Sequence, residues 1–293
     1  MTEQTITRPD EIKRVIKLMG SRQLPLSRPL IMGVLNVTPD SFSDGGRFLS
    51  VSDAVNRGLQ MAAEGADIID IGGESSRPGA QPVTAKEEQR RVLPVIENLR
   101  RETDLPISID TYHAATAEAA LDTGADIVND ISALRFDTQM APLVAERKVP
   151  LVLMHMLGTP RDMQNDPHYD NCVDEIVQFF EERISFCRQN GIDKSKLILD
   201  PGIGFGKRLG DNLLILSSLG EFKRFSLPLL VGTSRKSFIG MINAIDSPAD
   251  QRLGGSLAAA VVAVINGANI VRVHDLAETV EAIKVIQAIR KTV

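Results

Sequence analysis

The chain has 293 residues, 43% hydrophobic and 24% charged, enough apolar material for a sizeable core and enough charge to keep it soluble. Lys and Arg number 33 against 38 Asp and Glu, with no block of like charge, no Trp and two Tyr, which argues against a nucleic-acid surface. The longest apolar run, Leu257 to Ile265, falls far short of the roughly 20 residues that span a bilayer.

The N-terminus, MTEQTITRPDEIKRVIKLMG, spreads its charges and lacks the apolar stretch of a secretory signal, so a mature cytoplasmic sequence is expected. Residues 1–29 precede the first strand signal and are expected to form a short extension that decorates or plugs the bottom of the domain that follows, residues 30–293.

Eight short runs bounded by turn signals read as strands: Leu30 to Asn36, Ala66 to Ile71, Pro106 to Asp110, Asp126 to Asn129, Pro150 to His155, Leu197 to Asp200, Leu227 to Gly232 and Asn269 to Val273. They are near-continuously apolar, as strands of a parallel sheet covered by helices are. A helix-length segment fills each gap. Three strands share one opening, Gly65-Ala66-Asp67-Ile68, Gly124-Ala125-Asp126-Ile127 and Gly267-Ala268-Asn269-Ile270, in which a helix-ending Gly leads at once into a buried strand.

Helix signals agree. Thr84 and Glu87 form a capping box, with Pro94 placed to kink the helix that follows, and amphipathic helices are expected over Asp174 to Gln189 and Leu276 to Ile289. Cys172 and Cys187 fall within one helical-looking segment, where a bridge is implausible, so free thiols are expected. The expected fold is an α/β class single parallel (β/α)8 TIM barrel; an open doubly wound sheet is the alternative, and the count of eight favours the barrel.

Polar residues gather where strands end: Asn36, Asp110, Asn129, His155, Asp200, Ser234, Arg272 and His274. In a barrel those ends converge on one mouth, where catalytic residues are found. Asp110, Asn129 and Asp200 make an acceptor-rich floor suited to a ligand edge with several N–H donors. Asp200 to Lys207 (DPGIGFGK) misses both nucleotide-binding registers, because Lys207 stands where a dinucleotide fingerprint needs Gly and Pro201 where a P-loop needs Gly. What remains is a Gly-permitted loop open to a flat ligand.

Thr233 to Ser237 (TSRKS), Arg272 and His274 lie where this fold often binds phosphate, and an Arg ending a buried strand needs an anionic partner. Residues 37–50 and 73–83 are long polar connections, expected to act as lids. His113 and His168 are assigned to the surface without function. No set has zinc spacing, so any metal is expected to be oxygen-ligated Mg²⁺ shared with a substrate phosphate.

In this order, Met32 to Gly46 (MGVLNVTPDSFSDGG), Asp70 to Ala80 (DIGGESSRPGA), Ser108 to Thr111 (SIDT), Asn129 to Ser132 (NDIS), Asp200 to Lys207, Thr233 to Ser237 and Arg272 to Asp275 (RVHD) resemble the dihydropteroate synthases of folate biosynthesis. The resemblance implies a transferase that condenses 6-hydroxymethyl-7,8-dihydropterin diphosphate with 4-aminobenzoate and releases diphosphate. It implies pterin contacts at Asp110, Asn129, Met154, Asp200, Phe205 and Lys236, and diphosphate contacts at Asn36, Ser76, Arg77, Arg272 and His274. Aminobenzoate would meet Phe42, Pro78, Lys236 and Ser237, and Asn36 would help hold Mg²⁺.

Ser76 stands where the family usually has Thr, which keeps the hydroxyl and loses a methyl. A homodimer is implied by the same analogy. Two rivals are a pterin-binding methyltransferase using methyltetrahydrofolate, which has no use for a diphosphate site, and a catalytically silent pterin-binding barrel.

Overall fold

A computed structural model of the chain describes residues 15–18, 22–38, 50–75, 79–242 and 247–290. Two short strands, β1 (Val15–Lys17) and β2 (Gln23–Pro25), form an antiparallel pair. Strand and helix then alternate: β3 (Leu30–Asn36), α1 (Val51–Glu64), β4 (Ile68–Gly72), α2 (Ala85–Glu102), β5 (Ile107–Asp110), α3 (Ala114–Thr123), β6 (Ile127–Asp130), α4 (Met140–Arg147), β7 (Leu151–Met154) and α5 (Cys172–Gln189). The second half continues with β8 (Leu197–Asp200), α6 (Leu209–Ser217), β9 (Leu230–Val231), α7 (Ser237–Ile242), α8 (Leu253–Asn266), β10 (Ile270–Val273) and α9 (Leu276–Arg290).

Strands β3 to β10 form one parallel sheet in the order β8-β7-β6-β5-β4-β3-β10-β9. A parallel bridge between Leu199 and Leu229 brings β8 to β9, and the Leu199 N–H donates to the Pro228 carbonyl at 2.9 Å. The ring therefore closes, and the open-sheet alternative falls. Strand β9 is shorter than the expected run because Pro228 has no N–H to give a ladder and the Leu229 N–H is taken by the Asn269 side chain at 2.9 Å. Among the described residues no helix is long and apolar enough to cross a membrane.

Helix ends follow the local chemistry. Ser50 accepts from the Asp53 N–H at 3.1 Å to start α1, and Thr84 from the Glu87 N–H at 3.3 Å to start α2. Asn171 caps α5, which so begins at Cys172, two residues before the expected start. Both cysteines are free and buried, and burial pushes each thiol up to about 12.

The core has two parts. Between sheet and helices, side chains such as Ile69, Val92, Ile96 and Phe180 pack without solvent contact. Inside the ring, Met32, Ile68, Ile127, Val152, Ile198, Leu230 and Ile270 form a separate cluster, and Ile16, Leu18 and Leu24 of the β1–β2 pair join it. Most of these inner residues stand at or near the first residue of their strands, so the hairpin sits across the bottom of the barrel, opposite the mouth.

The shared strand openings have one structural use. Gly65, Gly124 and Gly267 end their helices at φ values of 103°, 125° and 119°, where a Cβ would be strained. The residue two places on then offers a side-chain acceptor to a free N–H of the neighbouring strand region: Asp67 to Ile31 at 2.9 Å, Asp126 to Ile107 at 3.0 Å and Asn269 to Leu229 at 2.9 Å. Arg28 pairs with Asp67, and both Arg22 and Arg100 pair with the buried Asp126.

Replacing Asp126 removes the acceptor and strands a partly buried guanidinium, a change that costs about 3 kcal/mol when a buried pair is broken. Urea unfolding of Asp126→Ala should show that loss, with Asp126→Asn losing clearly less because its amide oxygen still accepts from Ile107. Equal stability of Asp126→Ala and wild type would contradict this role.

Candidate active site at the barrel mouth

The sheet register sets the mouth. Asn36, Gly72, Asp110 and Asn129 pair in one row, and because Asn129 pairs with Val152 the Met154–Asp200 pair stands two residues further along, all of them at or next to the ends of their strands. Arg272 on β10 pairs lower, with Met32, and its side chain reaches up to Asp70 and Asp110.

At the centre the Arg272 guanidinium bridges two carboxylates. Its Nε donates to Asp70 at 2.6 Å and its Nη2 to Asp110 at 2.6 Å, while Asn129 donates to the same Asp70 oxygen at 3.1 Å. Asp70 has no solvent exposure at all. Burial works against the Arg272 charge, but Asp70 and Asp110 outweigh it and raise the pKa further. Burial pushes Asp110 up to about 7 despite Arg272 beside it. Burial likewise raises Asp200, whose Oδ1 accepts from the Gly202 N–H at 2.7 Å.

Beside this floor lies an apolar wall of Ile131, Met154, Met156, Met163 and Phe205. The Lys236 Nζ sits 4.0 Å from the centre of the Phe205 ring, within cation–π range. Burial lowers Lys236 to about 8, with Arg272 adding to the effect. A heterocycle entering here would meet carboxylates and an amide at one edge, an ammonium elsewhere, and methionine and phenylalanine faces.

Toward β10, His274 Nδ1 lies 3.1 Å from the Ser234 hydroxyl, and the Ser234 hydroxyl also accepts from the His274 N–H at 3.2 Å. Burial, followed by Arg272, drops the imidazole to about 3, so His274 is neutral at physiological pH and offers hydrogen bonding rather than charge. Ser237 opens α7, directly after Lys236. The Asn36 amide makes no side-chain hydrogen bond among the described residues, and its Oδ1 and an Asp110 oxygen both face Gly72. Phe42, Ser76, Arg77 and Pro78 lie outside the described residues.

Several features were not read from the sequence. Asp70 sits inside the apolar run Ile68–Gly72, and the signal that could have found it is a charge in the middle of a buried strand. His113, assigned to the surface, is instead half-buried, with Nδ1 3.0 Å from the fully buried Glu88. The same Glu88 oxygen accepts from the Thr111 hydroxyl at 2.8 Å, and Tyr112 donates to Glu74 at 2.6 Å. His155, one of the strand-end polar residues, faces Lys207 rather than the floor, with Nδ1 3.0 Å from the lysine Nζ.

The profile of the pterin binding enzymes matches residues 32–274. The dihydropteroate synthase of Escherichia coli is 49% identical over 265 residues, 90% of this chain and 93% of the relative. The chain belongs to the dihydropteroate synthase family. The Yersinia pestis dihydropteroate synthase, solved as a sulfonamide drug complex, superposes with a TM-score of 0.90 at 46% identity, covering 94% of this chain and 99% of that one. That of Xanthomonas albilineans, solved with 4-aminobenzoic acid, gives a TM-score of 0.86 at 48% identity, covering 92% and 96%; it was also solved in complex with 7,8-dihydropteroate.

In this dihydropteroate synthase family member, Arg272 neutralises two buried carboxylates at once. Removing it leaves them facing each other, a cost of about 3 kcal/mol for an uncompensated buried charge. Arg272→Met should therefore be destabilised, and more so at pH 8 than at pH 5, because the wild-type Asp110 charge forms as pH rises through about 7 and has lost its guanidinium partner in the variant. At pH 5, below the Asp110 value of about 7, that carboxyl takes a proton and the penalty shrinks. Chemical denaturation at the two pH values reads this, and an equal loss at both would refute it.

Proposed function

We infer that the chain condenses 6-hydroxymethyl-7,8-dihydropterin diphosphate with 4-aminobenzoate, giving 7,8-dihydropteroate and diphosphate. The observation that carries this reading is the mouth itself, where Asp110, Asn129 and Asp200 line one floor beside Lys236, Phe205 and Met154. The pterin edge bears N–H donors, and ionised acceptors there form charge-assisted hydrogen bonds with it. Met154 and Phe205 cover the faces of the ring, and Lys236 donates to its acceptor atoms.

The reaction breaks the C–O bond of the pterin methylene, whose electrons leave with the diphosphate, and forms a C–N bond to the arylamine, which then gives up a proton. The arylamine is already a nucleophile, so the site needs no strong base. Its task is to stabilise charge: negative on the departing diphosphate and positive on the methylene, which faces the carboxylate side.

Arg272 uses two of its five N–H donors on Asp70 and Asp110, and the remainder are assigned to the diphosphate. Neutral His274 adds one N–H, and Ser76 and Arg77 of the second long connection complete the set. Phe42, Pro78, Lys236 and Ser237 are assigned to 4-aminobenzoate.

Mg²⁺ fits this arrangement. Asn36 presents an amide oxygen with no side-chain hydrogen bond among the described residues, and Mg²⁺ is commonly held by few protein oxygens together with substrate phosphates. When bound there it would supply neutralising charge to the leaving group. The Glu74, Glu88 and His113 group has its donor atoms within 4.8 Å of one another; Tyr112 takes one Glu74 oxygen, Thr111 and His113 share one Glu88 oxygen, and Glu74 Oε2 is buried without a hydrogen bond among the described residues.

A cytoplasmic location and a homodimer belong to the same reading. The dimer is supported by exposed apolar residues on neighbouring helices, Leu213 and Leu214 on α6, Val262 and Ile265 on α8, and Val285 and Ile289 on α9. Sedimentation equilibrium should return twice the mass of one chain, and charged residues at Val262 and Ile265 should halve it.

The deciding experiment supplies purified protein with pterin diphosphate, 4-aminobenzoate and Mg²⁺ and measures diphosphate and pteroate together. Both should form in equal amounts. Lys236→Ala should keep its fold and lose roughly 100-fold or more in kcat, as expected when a charge-stabilising donor is removed. Pterin binding without pteroate would establish a silent barrel, and full activity of the variant would remove Lys236 from the site.

A further inference from the structure

The loop between β8 and α6 carries Gly202, Gly204 and Gly206 at positive φ values of 68°, 82° and 63°. Alternating glycines give a chain unusual freedom, and besides one turn bond, from the Phe205 N–H to the Gly202 carbonyl at 3.1 Å, the loop is held from outside its own backbone. It must present Phe205 to the Lys236 ammonium. Its three consecutive carbonyls are each taken by a different side chain: Gly204 by Gln164 Nε2 at 2.8 Å, Phe205 by Lys207 Nζ at 3.0 Å and Gly206 by the Tyr169 hydroxyl at 2.7 Å.

The glycines also let the loop lie directly on the chain leaving β7. A Cβ at Gly202 would stand 2.0 Å from the His155 carbonyl oxygen, and one at Gly206 would stand 2.6 Å from that of Leu157. Lys207 is buried at this seam without a carboxylate in ion-pair range among the described residues. Its three N–H donors meet three acceptors, the Phe205 carbonyl, His155 Nδ1 at 3.0 Å and the His155 carbonyl at 3.4 Å. Burial lowers the amine to about 7, and burial with Lys207 keeps the imidazole neutral, so Nδ1 accepts.

We propose that Lys207 and Tyr169 are positioning residues for the heterocycle pocket, pinning the 201–206 loop so that Phe205 stays against Lys236. Neither touches the ligand. The proposal rests on the assignment of this pocket to the pterin. Tyr169 stands in the long connection after β7, and so that connection shapes the pocket from behind.

The test uses the full chain with Tyr169→Phe, which deletes one hydroxyl, and Lys207→Met, which keeps the length and deletes the amine. Calorimetry gives the dissociation constant for pterin diphosphate without the second substrate, and steady-state kinetics give kcat and the KM for 4-aminobenzoate. Loss of one buried hydrogen bond should weaken pterin binding about tenfold while the 4-aminobenzoate KM stays within about twofold. Thermal melting separates positioning from simple damage.

Wild-type pterin affinity in both variants would overturn the proposal. So would a parallel weakening of both substrates that tracks the drop in melting temperature. If Lys207→Met fails to fold, Tyr169→Phe decides alone. Wild-type protein that binds no pterin would overturn the functional reading itself, a result distinct from equal binding by wild type and variants.

Discussion

The mouth of this barrel depends on one guanidinium. Arg272 lies between Asp70 and Asp110, and without it the fully buried Asp70 and the largely buried Asp110 would face each other. Ionised groups in such a place are tolerated when paired and hydrogen-bonded, and the remaining lone pairs are partly served by Asn129. Because β10, β4 and β5 each supply one member, the ion triad also ties the last strand of the sequence to the second and third of the barrel.

The same burial shifts several titrating groups around it. Carboxyls rise, as at Asp110 and Asp200; amines and imidazoles fall, as at Lys236 and His274. Opposite charges pull both sets back toward ionisation. The outcome is a set of donors and acceptors shifted toward their neutral forms in a largely buried site, where electrostatic interactions act at greater strength than in water.

Much of the architecture was readable because parallel strands buried on both faces appear as continuous apolar runs, and because three of them open with the same Gly-Ala-Asp/Asn step. The strand-end polar residues Asp110, Asn129 and Asp200 could be grouped before any coordinates, since a barrel brings strand ends together. Asp70 escaped because an apolar run hides a single charge, and its importance appears only when the distant Arg272 arrives beside it. That Arg had been matched with an anion from outside the chain, whereas two of its bonds go to anions within it. His113 looked like a surface residue because sequence spacing does not reveal that Glu88, on the preceding helix, reaches it. The short β9 follows from Pro228, whose effect on the ladder depends on a neighbour that spacing does not identify.

At the opposite end from the chemistry, Asp67, Asp126 and Asn269 each hold a backbone N–H from the adjoining strand or its approach. Alignment of those strand pairs is thus secured without reference to anything at the rim that carries function. Selection can lengthen, shorten or recast the connections above while the staves keep their stagger, so novelty in ligand choice and integrity of the cask are inherited separately.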